Sequence, residues 1–150
     1  MKVSLRATYG ILAAMDLALQ NGVAPVQAKS IARRHAIPAR FLEQVLHALK
    51  RAGVVESLRG AQGGYLLSKP PSDISLAEIV EALDGPLMPV PHPKSNGRRV
   101  RNPARLETLL GTVWDKVRQA ELDVLGSVTL QEIAERYQRL EQEHAPMYHI

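Results

Sequence analysis

The stretch IPARFLEQVLHALKRAGVVESLRGAQGGYLL, residues 37–67, decides the fold. Phe41, Leu42, Val45, Leu46 and Leu49 recur at helical spacing, which leaves Arg40, Glu43, Gln44, His47, Lys50 and Arg51 on the opposite face. Pro38 suits a first helical position, and Gly53 suits the left-handed position that ends a helix. Val54–Leu58, the turn Arg59–Gly64 and Tyr65–Leu67 then read as strand, loop and strand, the glycines permitting a tight return. Upstream, Gln27–Arg34 reads as a short helix with Ile31 inward, and Arg34–Ile37 as the turn. Helix, turn, helix and two-stranded wing, in that order, define a winged helix-turn-helix, whose second helix enters the DNA major groove.

On that geometry Arg40, Glu43 and Gln44 face base edges. Arginine pairs with guanine, glutamine with adenine, and glutamate accepts from the cytosine amino group. Arg59, with Gly60 beside it, suits insertion into a narrow minor groove. His47, Lys50 and Arg51 continue the polar face toward phosphates.

Tyr9, Phe41-Leu42-Glu43-Gln44, Ala52-Gly53-Val54-Val55 and above all Ser57–Tyr65 (SLRGAQGGY) resemble the Rrf2 family of bacterial winged-helix regulators. The similarity runs from Met1 to about Leu125. The resemblance implies that Arg40, Glu43 and Gln44 lie on the recognition helix and Arg59 in the wing. It also implies that the start of the first helix approaches DNA, which puts Lys2, Arg6 and Thr8 near phosphates.

Composition agrees. The 150 residues are 45% apolar, enough for one compact domain, or one domain with an appended element. There is no cysteine, which removes disulfides, thiolate metal sites and cysteine nucleophiles. The first residues lack the apolar run of a signal peptide and no segment is long enough to span a bilayer, so a cytoplasmic protein with no membrane partner is expected. Residues 1–69 hold ten Lys+Arg against three Asp+Glu, a net of +7, whereas residues 70–150 hold nine against twelve, a net of −3. The basic half carries the wing, and a pI near 9.6 points it toward a polyanion.

Along the remainder, Ser4 caps a first helix in which Leu5, Tyr9, Leu12, Met15 and Leu19 form a stripe, ending at Asn21-Gly22. Val26 suits a short strand beside the wing. Ser75-Leu76-Ala77-Glu78 is a capping box that opens a helix with Leu76, Ile79, Val80 and Leu83 inward. Residues 84–101, with four prolines and two glycines, read as a flexible loop. Asn102 and Pro103 then start a long helix with Leu106, Leu110, Val113, Val117, Ala120 and Val124 in a heptad stripe widened by Leu109 and Trp114. That stripe predicts a homodimer presenting two recognition helices to an imperfect palindrome in double-stranded DNA. Thr129–Glu132 opens a last helix, with Ile133, Tyr137 and Leu140 inward.

The expected architecture is mainly α with a small β wing: a winged helix-turn-helix over 1–83, the loop 84–101, dimerisation helices over 102–143 and a tail from 144 to 150. Cluster-bearing relatives place three cysteines in the loop and a histidine in the next helix. Here the cysteines are absent, His92 is the lone imidazole of the loop and Gly111 stands near the histidine's place, so no metal or other cofactor is expected. Leu83–Val90 and the ending Tyr148-His149-Ile150 resemble the cysteine-metabolism branch of the family, which implies O-acetylserine sulfhydrylase as a partner, with Tyr148 and Ile150 docking into it. Three function classes stay open: a DNA-binding repressor, a protein-interaction module acting through the tail, and an enzyme. Scattered histidines and the lack of a phosphate-cradling loop leave the enzyme with least support.

Overall fold

The computed structural model describes residues 2–20, 24–87 and 104–145. Ser4 starts α1 (Leu5–Leu19), its hydroxyl accepting from the Ala7 amide at 3.0 Å. The Ser4 amide and hydroxyl both donate to the Asp84 carboxylate, tying the start of α1 to the end of α4 (Leu76–Asp84). The bulky stripe of α1 is its half-buried flank, with Tyr9, Leu12 and Met15 against the core, and Leu5 lies exposed. Small residues fill its buried side: Ala7, Gly10, Ala13, Ala14 and Ala18, with Leu17. They let α4 approach so closely that a Cβ on Gly10 would stand 2.1 Å from Leu83 Cδ1. Interdigitated packing of this density leaves no room for larger side chains.

The helix-turn-helix is α2 (Ala28–His35) and α3 (Ala39–Arg51). Each is offset by about a residue from the expected bounds, with Pro38 preceding the first helical residue and Ala36 in the left-handed conformation at the turn. Leu42, Val45, Leu46 and Leu49 are buried, and Phe41 meets Tyr9 edge to face with centroids 5.4 Å apart. Gly53, at φ 78°, releases the chain from α3.

The wing is β1 (Val55–Leu58) paired antiparallel with β2 (Gly64–Leu67), Ser57 opposite Tyr65. Val26 adds a bridge on the far edge of β2, exchanging hydrogen bonds of 2.9 and 2.8 Å with Tyr65, as the sequence suggests. A 3-10 turn, Pro71–Asp73, leads to α4, where Ile79, Val80 and Leu83 are buried and Leu76 is half-buried.

α5 (Ala104–Ser127) and α6 (Leu130–His144) follow. The chain at 128–130 pairs with 74–76: the Leu76 amide donates to Val128 at 2.9 Å and the Leu130 amide to Ile74 at 3.0 Å. This anchors the α5–α6 corner on the core, and Leu130 is fully buried there. Tyr137 and Leu140, expected inward, are 45% and 53% exposed; only the first turns of α6, through Leu130 and Ala134, reach the core. Both serine/threonine caps form, Ser75 accepting from Glu78 and Thr129 from Glu132. The reciprocal half of each box is diverted, because Glu78 pairs with Lys69 at 2.7 Å and Glu132 with Arg136 at 3.0 Å. Among the described residues no helix is long and apolar enough to cross a membrane.

Candidate nucleic-acid interface

The exposed face of α3 carries Arg40, Glu43, Gln44, His47, Lys50 and Arg51. Five of these, all but Lys50, line an open groove of about 640 Å³ together with Ala48 and Arg6, which projects from the first turn of α1. Two helix segments far apart in sequence thus converge on one concave surface bearing three guanidinium groups and one carboxylate. Lys2 and Thr8 are exposed near the same end of α1, the Thr8 hydroxyl donating back to the Ser4 carbonyl at 3.1 Å. The wing tip, with Leu58, Arg59, Gly60, Ala61 and Gln62, is exposed. Lys50 behaves differently from its neighbours: its ammonium donates to Ser57 Oγ of β1 at 2.7 Å.

What orients α3 is a cluster that the sequence reading missed. Asp16, 3% exposed on α1, accepts from Arg34 Nε at 2.8 Å and Nη2 at 2.7 Å, and its Oδ2 lies 2.8 Å from His35 Nε2. This bidentate pair clamps the end of α2, immediately before the turn into α3. A lone aspartate inside an apolar helix was the available signal, since a buried carboxylate needs a partner. Burial pushes the Asp16 carboxyl up, but the hydrogen bonds and charges of Arg34 and His35 outweigh it and hold the pKa below the ordinary carboxylate range. A carboxyl with a depressed folded pKa contributes stability above its unfolded pKa and loses it as pH falls through the folded one. Asp16→Asn therefore costs about 1–2 kcal/mol at neutral pH, moderated because Arg34 reaches solvent. In urea titrations its deficit against wild type stays level above about pH 5 and shrinks below about pH 4; a pH-independent deficit refutes the linkage.

On α5, Leu106, Leu109, Leu110, Val113, Trp114, Val117 and Val124 are exposed, from 36% at Trp114 to 78% at Leu106, and Ala120 is exposed with them. Residues 88–103, including His92, Asn102 and Pro103, and the tail residues Tyr148 and Ile150 lie outside the described residues.

A family model described as "Rrf2: Iron-dependent Transcriptional regulator" matches residues 3–136. The HTH-type transcriptional regulator CymR of Bacillus subtilis (strain 168) is 37% identical over 150 residues, covering all of both chains. The solved structure of CymR (YrzC), the global cysteine regulator of B. subtilis, superposes with a TM-score of 0.72 at 34% identity, over 91% of this chain and 98% of that one. T. potens IscR superposes with a TM-score of 0.71 at 34% identity, over 98% and 93%. The donor set here does not fit an iron–sulfur centre: the chain has no thiolate to offer, and among the described residues no three His, Asp or Glu side chains gather as a metal site. Gly111, on α5, supplies no ligand either. With a family model over most of its length and a full-length relative at 37% identity, the chain belongs to the Rrf2 family of DNA-binding transcriptional regulators.

Proposed function

We propose that the protein is a cytoplasmic, homodimeric repressor that binds an imperfect palindrome controlling genes of cysteine and sulfur metabolism. The observation that carries the DNA-reading part is the convergence of Arg40, Glu43, Gln44, His47 and Arg51 with Arg6 on one open groove of α3. In this reading Arg40, Glu43 and Gln44 meet base edges, while Lys2, Arg6, Thr8, His47 and Arg51 meet phosphates. Arg59 enters the adjacent minor groove, where Gly60 lets the backbone come close. The α5 stripe joins two copies, and the likeness to CymR along the whole chain supports cysteine-linked target genes.

The test uses duplexes that the wild-type protein enriches from genomic fragments, with random duplexes for comparison. Arg40→Ala and Gln44→Ala each cost about 1–3 kcal/mol on the selected duplex and relax preference at particular base pairs, whereas Arg51→Ala weakens every duplex alike and lowers the salt slope by about one. Equal losses for the three on selected and random DNA reject the division into readers and anchors.

The same reading takes Tyr148 and Ile150 as the segment that docks into O-acetylserine sulfhydrylase. The Ile150 side chain would occupy an apolar slot of that enzyme. Deletion of residues 146–150 then abolishes calorimetric binding to that enzyme and leaves DNA binding without it intact; unchanged binding to the enzyme removes this partner.

A further inference from the structure

The wing consists of two four-residue strands. A two-stranded ribbon is marginal in water by itself, so its direction depends on what braces it. At its base Val55 is buried, and β2 is held from the far side by Val26 at Tyr65, the residue opposite Ser57. Farther out the support ends: residues 58–62 are exposed, and no side-chain hydrogen bond or ion pair holds residues 59–62 among the described residues. The Lys50–Ser57 bond at 2.7 Å sits at the boundary between the two regimes. Ser57 lies two residues before Arg59 and opposite Tyr65, and Lys50 rises from the last turn of α3. Among the described residues this is the one side-chain hydrogen bond joining the recognition helix to the wing, and Lys50 is absent from the groove that its neighbours line.

We propose that Lys50 is a positioning residue: by bracing β1 through Ser57 it fixes the angle between recognition helix and wing, and so the reach of Arg59 into the minor groove. The inference rests on the DNA-binding reading above. It replaces the expectation that Lys50 anchors a phosphate, and the two roles differ in what Ser57 does. A phosphate anchor has no use for the Ser57 hydroxyl, so removing it leaves binding unchanged or tighter as the ammonium is freed. A brace needs both ends.

The experiment uses the full-length protein with the genomic duplex that it enriches most. A second duplex replaces A·T with G·C pairs wherever Arg59→Ala loses preference. Ser57→Ala, which alters no charge, weakens binding to the first duplex about three- to tenfold, the size of one solvent-facing hydrogen bond, and narrows the preference between the two. Lys50→Met gives a similar loss with the salt slope unchanged, the double variant loses no more than either single one, and Ser57→Thr, which keeps the hydroxyl, retains wild-type affinity. Wild-type affinity for Ser57→Ala, with a salt slope lowered by about one in Lys50→Met, overturns the brace and makes Lys50 a phosphate anchor. Should Ser57→Ala melt early, the salt slope of Lys50→Met, on an exposed helix face, decides alone. Arg40→Ala is the control: if it loses affinity while the Ser57 variant does not, only the brace falls, and if neither loses, the DNA reading falls with it.

Discussion

Val113→Asp yields a monomer that melts close to the wild-type protomer but binds its operator at least about a hundredfold more weakly. Val113 lies midway along α5, half exposed, in a stripe where 106, 110, 113, 117, 120 and 124 alternate steps of four and three. That alternation is the seam of a two-stranded zipper. A helix of 24 residues runs about 36 Å, and among the described residues most of its apolar face is uncovered within its own protomer, with Leu122 and Leu125 near its end packing on the core. A carboxylate at Val113 therefore costs the lone protomer little, whereas in a paired seam it is a charge buried without a partner. The DNA penalty follows from geometry. Two recognition helices fixed to one stalk make the second half-site encounter intramolecular, which raises avidity by about 10²–10⁴ over one half-site. Ultracentrifugation alongside a titration on the enriched duplex reads both effects. A Val113→Asp dimer of unchanged mass, or a monomer with undiminished affinity, refutes the two-fold arrangement.

The parts of this molecule that the sequence announces are those where one face is polar and the other apolar. In α3 the contrast between Leu42, Val45, Leu46, Leu49 and the charged residues opposite them is complete, so both the buried side and the exposed polar side follow from spacing. The wing is legible because Gly60, Gly63 and Gly64 stand where the chain must reverse. α1 is less legible for the opposite reason: apolar residues occupy several sides of it, and the bulky ones mark the flank while alanines take the buried side and Gly10 the close contact with α4. Tyr137 and Leu140 continue the period of α6 beyond the point where the protomer's own core ends, so spacing alone does not mark them as exposed on the protomer. The Asp16 clamp and the Lys50–Ser57 bond depend on the angles at which elements meet. Those angles come from packing, which no local pattern encodes.

Packing also makes Gly64→Ala a damaging single-methyl change in the wing. Gly64 has φ +151°, a conformation L side chains rarely adopt, and a Cβ there would stand 2.6 Å from both the carbonyl carbon and oxygen of Val26. The obstacle is backbone, so no rotamer change relieves it. β2 must move away from Val26, giving up the two hydrogen bonds between Val26 and Tyr65. Strain and lost bonds together cost about 2–4 kcal/mol. Because the wing leaves its seat, operator affinity falls by more than tenfold as well, with the loss concentrated at the base pairs where Arg59→Ala loses preference. Two other glycines calibrate the result. At Gly10 the added methyl meets the tip of Leu83, a side chain that can turn aside, so Gly10→Ala lowers stability while sparing the wing. At Gly111, inside α5 with nothing within 4 Å, alanine adds about 0.5–1 kcal/mol of helix stability. Thermal melts of the three variants, paired with titrations on the enriched duplex, separate backbone collision from helix propensity. If Gly64→Ala melts and binds like wild type, the Val26 bridge does not seat the wing.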